Sequence, residues 1–493
     1  MRTTVEREIK LDVAPEFEIP ALPGAPLETR TFTSTYWDTA GRGLAHVGIT
    51  LRHRVEHGRG RWQLKIPHGL ARLEIEADGG PLGPPAELTA LLTAFTRREP
   101  LARAAVLYTH RAGRRIDDGK GAAVAEAVVD AVSVLDGNWV IDRFAELEVE
   151  LVEAGDERDL RRIELQLRAA GALDGDGRPK VLRALGIGGD ADPPAELTAA
   201  PTQARITEAF ARQRRVVLSR DPGTRLGSDP EDLHDMRVAT RRLRSYLRAA
   251  HALVDPAWAT PLRAELGWLA DELGSVRDLD VMLAHLAPQV ATLDPAEREA
   301  LEGVLLDRLR RDHERARAAL LATLSSPRYF RLLDLLEQPV ALVVEPPLDE
   351  QTVAEPLIAE PLPSLQALAA NEYRRLRRAL RRIDETTPDV EIHATRIRAK
   401  RARYAAELAQ PLAGRKLSAV LARIKALQDV LGEHQDSAVA EECIRRLAGK
   451  GRGDAALGAG RLIEREHRRR AAARAALPDA MQSLDRAARK AFR

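Results

Sequence analysis

The sequence predicts an α+β protein of several domains, with an antiparallel β-unit over residues 1–185 and an all-α region over residues 202–493. Three observations predict it. Up to residue 185, short segments alternate polar and apolar residues and are separated by Gly-containing turns. From Thr202 onward, apolar residues recur at helical spacing. Within that second region a stretch beginning at Leu233 returns after an offset of 159 residues. Two breaks rich in Pro and Gly set the remaining boundaries. They are a linker at 186–201 and a connector at 339–363, which separates a first helical repeat (202–338) from a second (364–493).

Length and composition agree with this division. A chain of 493 residues is long enough for roughly two to four domains with their own cores. Aromatics are sparse at 4% and charged residues reach 30%, a balance that suits helices with one apolar stripe. The net charge of +2 conceals an asymmetry: residues 1–200 carry 26 Lys+Arg against 32 Asp+Glu, and residues 201–493 carry 50 against 42. The first half is therefore suited to cations and the second to anions. Cys443 is the one cysteine, which excludes a disulfide framework or a Cys-based metal site. The N-terminus lacks the pattern of a signal peptide, and no apolar run approaches the roughly 20 residues of a membrane span. The expectation is a soluble cytoplasmic protein.

The first strand, Thr4 to Leu11, puts Glu6, Glu8 and Lys10 on one face. Two carboxylates roughly 7 Å apart on a strand can share a hard cation such as Mg²⁺ or Mn²⁺, and the lysine beside them can hold a polyanion. After a Pro-rich turn (15–26), strands are expected at 31–39, 46–56, 61–66 and 71–77, then a helix at 84–96 and strands at 105–115, 122–135 and 144–152. Eight strands are enough to close a barrel. The charge pattern of the first strand recurs: Arg52 with Arg54, Glu74 with Glu76, and Glu146 with Glu148 and Glu150 share faces, while Lys65 and Arg111 add cations. If these faces point inward, the lumen holds acids for a metal and bases for phosphoryl oxygens. Whether Glu150, Glu74 and Glu76 face it is left open.

These residues, in this order, resemble the CYTH family, the triphosphate tunnel metalloenzymes. E-R-E-I-K matches the Glu-x-Glu-x-Lys signature, and Y-W-D-T, L-R-H-R, Q-L-K, T-H-R, A-E-L-E-V-E-L and P-K-V-L-R-A-L follow. The resemblance implies an eight-stranded antiparallel β-barrel tunnel with flanking helices that hydrolyses a triphosphate. It implies Glu6, Glu8, Glu146 and Glu148 as ligands of Mg²⁺ or Mn²⁺, and Lys10, Arg52, Arg54, Lys65, Arg111 and Lys180 on the phosphates, with Asp130, on a later strand, among the substrate-binding residues. Glu6, Glu8, Lys10 and Glu148 are the expected catalytic set.

In the helical region, L-H-D-M-R-V-A-T-R-R-L-R (233–244) aligns with I-H-A-T-R-I-R-A-K-R-A-R (392–403). L-G-S-V-R-D-L-D-V (273–281) aligns with L-G-E-H-Q-D-S-A-V (431–439), and R-R-D-H-E-R (310–315) with E-R-E-H-R-R (464–469). This is an internal duplication of about four helices per copy. His234, Arg237, Arg241, Arg244 and Arg248 step by three and four and so form one stripe, which His393, Arg396, Lys400 and Arg403 repeat. Stacked like charges repel, and the stripes are read as lacking acidic partners at i±3 and i±4, so an anion is the natural compensation. Arg374 and Arg378 belong to a further basic run. With only Tyr246 and Tyr404 nearby for base stacking, a flexible inorganic polyanion suits the stripes better than nucleic acid.

The His-led stripes resemble the CHAD domain, the conserved histidine α-helical domain. That resemblance implies two pseudo-symmetric four-helix bundles binding inorganic polyphosphate. The helical half is expected to hold polyphosphate or to dock on polyphosphate granules. The combined expectation is a metal-dependent inorganic triphosphatase that also holds long-chain polyphosphate, with no membrane partner. Its rivals are a thiamine triphosphatase, a class IV-type adenylate cyclase and a non-catalytic polyphosphate-binding scaffold.

Overall fold

The computed structural model describes residues 2–68, 71–152, 154–175, 177–187, 201–343, 363–449 and 451–492. Most of the expected linker at 186–201 and connector at 339–363 lies outside the described residues. The chain divides into two compact units, Met1–Glu196 and Leu197–Arg493.

The first unit is an antiparallel sheet of eleven strands. These are β1 (Arg2–Glu6), β2 (Glu8–Asp12), β3 (Gly24–Pro26), β4 (Arg30–Asp38), β5 (Thr50–Glu56), β6 (Arg59–His68), β7 (Ala71–Ala77), β8 (Ala102–Asp117), β9 (Ala123–Asp136), β10 (Trp139–Leu151) and β11 (Leu173–Asp174). Their order is β1-β7-β6-β5-β4-β8-β9-β10-β2-β11, with β3 against β8. The count exceeds the expected eight because two short strands, β3 and β11, carry too little pattern to read and because the first strand is interrupted at Arg7. Its halves pair with different neighbours, β1 with β7 and β2 with β10. Among the described residues no hydrogen-bonded ladder closes the sheet, yet its two sides are joined covalently through Glu6, Arg7 and Glu8.

Alternation along β10 decides what faces where. Leu147 and Val149 are fully buried against α3 (Glu157–Ala169), whose apolar residues Ile163 and Leu167 cover β2, β8, β9 and β10. Glu146, Glu148 and Glu150 therefore point to the other face. No helix is expected here from the sequence, although Asp156 and Asp159 form a capping box at its start. The expected strand at 46–56 begins late, at Thr50, because the buried Asp38 carboxylate accepts the N–H groups of Thr39, Leu44 and Ala45 at 2.7, 2.9 and 3.0 Å and ties 45–47 into a short 3₁₀ turn. The expected helix at 84–96 is two short ones, α1 (Ala86–Leu91) and α2 (Thr93–Thr96). A last short helix, α4 (Lys180–Ala184), starts at Lys180 and packs Val181 and Leu182 on the sheet.

The second unit is helical: α5 (Pro201–Leu226), α6 (Pro230–Ala249), α7 (Pro256–Ala291), α8 (Pro295–Leu301), α9 (Asp307–Leu324), α10 (Pro327–Glu337), α11 (Leu365–Leu380), α12 (Asp389–Ala413), α13 (Arg415–Ala448) and α14 (Asp454–Ala491). Asp229 and Asp255, each followed by Pro at the first helical position, cap α6 and α7. In the first copy α5 packs on α6, α6 on α7 and α7 on α9, and in the second α11 packs on α12, α12 on α13 and α13 on α14. The copies meet where α6 packs on α12 and α8 on α14. Leu286, Leu301, Leu305, Leu309, Ile444 and Leu462 form an apolar core shared by both. No helix among the described residues is long and apolar enough to cross a membrane.

Candidate functional site

In the first unit the polar face of the sheet lines a cavity of about 250 Å³. Seven cationic side chains (Lys10, Arg52, Arg54, Lys65, Arg72, Arg111, Lys180) and five carboxyl groups (Glu6, Glu8, Glu74, Glu148, Glu150) form its wall. Register creates the density of charge. Glu148 stands directly opposite Lys10, Glu150 opposite Glu8, and Lys65 opposite Glu74. Glu146, Asp130 and Arg111 form one row across β10, β9 and β8.

Glu148 is the hub. Lys10 contacts its Oε1, Lys180 Nζ donates to the same oxygen at 2.6 Å, and Arg111 Nη2 donates to Oε2 at 2.8 Å. Burial opposes its charge, but these three cations outweigh it and hold the Glu148 carboxyl well below its ordinary range. Asp130, fully buried, receives both arms of Arg111 at 2.7 and 2.6 Å and the Lys180 ammonium at 3.0 Å, and it too is held low despite its burial. Arg52 donates to Gln63 at 2.9 Å and to the Tyr36 hydroxyl at 3.1 Å, while Arg54 lies 3.6 Å from the centre of the Phe32 ring. Burial, with Arg52 and Arg111 beside it, lowers Arg54 to about 10.

The opposite wall is short of positive charge. Burial and the hydrogen bond with Glu6 raise Glu74 to about 8, and burial beside Glu6 raises Glu150 to about 7. Lys65, 2.5 Å from Glu6, helps to keep that partner ionised against its burial. Hard carboxylate oxygens that repel one another in this way suit a divalent cation by donor chemistry. Among the described residues no group of three or more His, Cys, Asp or Glu side chains is arranged to hold a metal. The expected ligands Glu146 and Glu148 are instead turned to Lys10 and Lys180, Glu146 at 2.8 and 3.1 Å.

Of the residues expected here, Glu6, Glu8, Lys10, Arg52, Arg54, Lys65, Arg111, Glu148 and Lys180 line the cavity, whereas Asp130 and Glu146 lie behind its wall. Glu74 and Glu150 line it as well; Glu76 is paired with Arg61 at 2.9 Å and Gln63 at 3.0 Å. Arg72 was not foreseen. Its signal was its place two residues before Glu74 on the same strand face.

In the second unit the two basic stripes face each other across α6 and α12. One cavity of about 560 Å³ is lined by His234, Arg237, Arg241, Arg277, His285, His393, Arg396, Lys400 and Arg469, with Asp278 and Asp436. A neighbouring one of about 420 Å³ is lined by Arg241, Arg244, Arg248, Arg263, Arg396, Lys400 and Arg401. Arg241, His393, Arg396 and Lys400 border both, so the basic surface runs along α6 from His234 to Arg248, about 21 Å at helical rise. Gly274 on α7 makes room for it, since a Cβ there would stand 3.3 Å from Arg237 Nη2. Burial and the neighbours Arg241, Arg396 and Arg237 lower Lys400 to about 7.

Residues 208–445 match the family described as the CHAD domain. The chain is also 30% identical to the uncharacterized protein Rv2226 of Mycobacterium tuberculosis, over 99% of this chain and 97% of that one. Residues 208–445 are a CHAD domain. Among solved structures, PptA from Streptomyces chartreusis shares 23% identity over 57% of this chain and all of its own, with a TM-score of 0.46. The CHAD domain from the plant Ricinus communis shares 25% over 58% of this chain and 93% of its own, at 0.44. An adenylyl-cyclase-type protein from Hippeastrum with a dominant triphosphatase activity shares 18% over 37% and 95%, at 0.25.

Within the CHAD region, eight of the eleven expected residues border the two cavities: His234, Arg237, Arg241, Arg244, Arg248, His393, Arg396 and Lys400. Arg403 borders neither. The expectation that the stripes lack acidic partners fails there, because Glu407, one turn on, accepts from Arg403 Nε at 2.8 Å. Arg374 and Arg378 are exposed on α11 and line neither cavity. Asp278 and Asp436 lie outside the expected set, although the repeat aligns them. Asp278 lies 3.0 Å from Arg237, and Asp436 acts on Arg396.

Proposed function

We propose that the chain is a metal-dependent inorganic triphosphatase fused to a polyphosphate-binding CHAD domain. In this reading the first unit is a CYTH-type tunnel built on an eight-stranded barrel, and the CHAD domain is a pair of four-helix bundles. One observation carries the reading: the wall of the first cavity is a surplus of fixed cations. Five carboxyl groups face seven cations; Asp130 and Glu146, behind the wall, balance that count while every carboxyl is ionised, and the raised carboxyls at Glu74 and Glu150 leave the surplus near neutral pH. A triphosphate supplies the missing negative charge within a small volume.

Each side chain then has a part. Arg52, Arg54, Lys65 and Arg111 hold phosphoryl oxygens, with Arg111 fixed by Asp130 so that its fork does not turn away. Lys10 and Lys180 neutralise Glu146 and Glu148 in the free protein and transfer that contact to the substrate when it enters. Glu6, Glu8, Glu146 and Glu148 would hold Mg²⁺ or Mn²⁺, with Glu74 and Glu150 beside them. The cation supplies charge stabilisation to the transferring phosphoryl group. The stripes of the CHAD domain hold long-chain polyphosphate by charge and forked donors, with no need of base stacking. The proposed setting is the cytosol, at polyphosphate granules.

Purified protein offered tripolyphosphate, ATP, thiamine triphosphate and long-chain polyphosphate, each with Mg²⁺ or Mn²⁺, tests this. Orthophosphate release from tripolyphosphate, abolished by Glu148→Gln, is the expected result; undiminished turnover in that variant defeats the assignment of the site. A second reading, a non-catalytic polyphosphate scaffold, is favoured by the lysine pairing of Glu146 and Glu148. Polyphosphate binding without hydrolysis of any substrate selects it.

A further inference from the structure

One side chain in the CHAD cavity has no counterpart in the other copy. His285 projects from α7 into the larger cavity, and at the repeat offset of 158 its equivalent is Cys443, buried in the shared core. Behind His285 stands Glu466 of α14, only 1% exposed. His285 Nε2 is 2.6 Å from Glu466 Oε1. The amide of Gln289 adds a bond to that oxygen at 3.0 Å, and Arg469 reaches Oε2 at 3.4 Å. Burial works against the charge of Glu466, but its bonds to His285 and Gln289 outweigh it and keep the carboxyl below its ordinary range. The Gln289 amide nitrogen and Arg469 Nη1 also stand 2.8 and 3.2 Å from Nε2, but both donate to Glu466, and the 2.6 Å contact of Nε2 to an ionised oxygen assigns it a proton, so in the neutral ring the lone pair is on Nδ1. The ring is 26% exposed and lines a cavity shared with Arg237, Arg277, Arg396 and Arg469.

An imidazole oriented by a buried carboxylate beside several fixed cations has the parts of a phosphoryl acceptor: a nucleophile, a group that sets its tautomer, and donors for phosphoryl oxygens. We propose that His285 takes a phosphoryl group from polyphosphate bound in this cavity, so that the CHAD domain performs a transfer of its own. Nδ1 attacks the terminal phosphorus. The N–P bond forms as the P–O anhydride bond breaks, and the electron pair leaves on a chain one phosphate shorter. The resulting phosphoryl-imidazolium keeps its Nε2 proton against Glu466, whose charge stabilises it, and attack by water on phosphorus returns neutral His285 and orthophosphate.

The inference rests on the polyphosphate reading of this cavity. Its test is full-length protein incubated with long-chain polyphosphate in excess EDTA, which withholds the divalent cation from the first unit. Bound polyphosphate is measured by filter retention, and the digested protein is mapped for an acid-labile, base-stable phosphoryl adduct. The expected result is an adduct on the His285 peptide of the wild type, absent in His285→Asn, and formed about a hundredfold more slowly in Glu466→Gln. Retention of polyphosphate with no adduct, or an adduct on His234 or His393 instead, overturns the proposal and leaves the binding reading intact. Failure to retain polyphosphate overturns both. Mapping on the wild type needs no variant to fold.

Discussion

Raising the pH from 7 to 9 should weaken polyphosphate binding to the CHAD domain, and Lys400 should be responsible. Burial and the approach of Arg241, Arg396 and Arg237 lower its ammonium to about 7 in the free protein, with Asp436 acting in the opposite sense. A bound polyanion reverses the local field and returns the group toward an ordinary lysine value of about 10.4. Between those limits, binding takes up one proton. Each pH unit well above 7 then costs about 1.4 kcal/mol, or about tenfold in Kd, which amounts to roughly fiftyfold from pH 7 to 9. Lys400→Arg keeps its charge throughout and should lose this slope while binding as tightly at pH 9 as at pH 7. Calorimetry at fixed ionic strength, in buffers of different ionisation enthalpy, measures both the Kd and the proton count. Titration of the ligand itself is common to both proteins and cancels in the comparison. Parallel slopes for the two would refute the reasoning. The same shift acts on the empty fold with the opposite sense: the unfolded chain binds more protons between about 7 and 10.4, so stability rises with pH across that window.

Three further outcomes concern the first unit. Lys180→Met removes a buried cation shared by Asp130, Glu146 and Glu148 and should lower unfolding stability by about 3–5 kcal/mol, read from denaturant midpoints; a loss within experimental error would remove Lys180 from the network. Glu148 and Asp130 are held below their ordinary values, so their stabilisation is complete above the unfolded values of about 4.3 and 3.9 and is lost as pH falls through the lower folded ones. Their part of the thermal stability, taken as the difference in melting temperature between the wild type and Glu148→Gln, should therefore be constant above about pH 5 and fall steeply below about pH 4. Mn²⁺ added near pH 7 should release protons from Glu74 and Glu150, detectable in a pH-stat, with Glu74→Gln releasing fewer. Mn²⁺ binding without proton release would place the cation elsewhere.

Local spacing made much of this protein legible. Period-2 alternation put Glu146, Glu148 and Glu150 on one face because strand geometry leaves no other choice, and steps of three and four put His234 to Arg248 on one stripe for the same kind of reason. The repeat identified α12 as the counterpart of α6. Glu407 was also legible one turn beyond Arg403, since only helix geometry is needed to pair them.

What the sequence by itself determined was therefore which side chains share a face. Which faces meet was decided only in three dimensions. Arg111 finds Asp130 because β8 and β9 align in that register, and one residue of slip would turn either side chain away. His285 meets Glu466 across 181 positions, and the crowding that moves Lys400 or Glu74 from its ordinary protonation arises from burial beside groups on other elements. Periodicity is a property of neighbours along the chain, whereas desolvation and Coulomb interaction depend on neighbours in space, which the chain acquires only on folding.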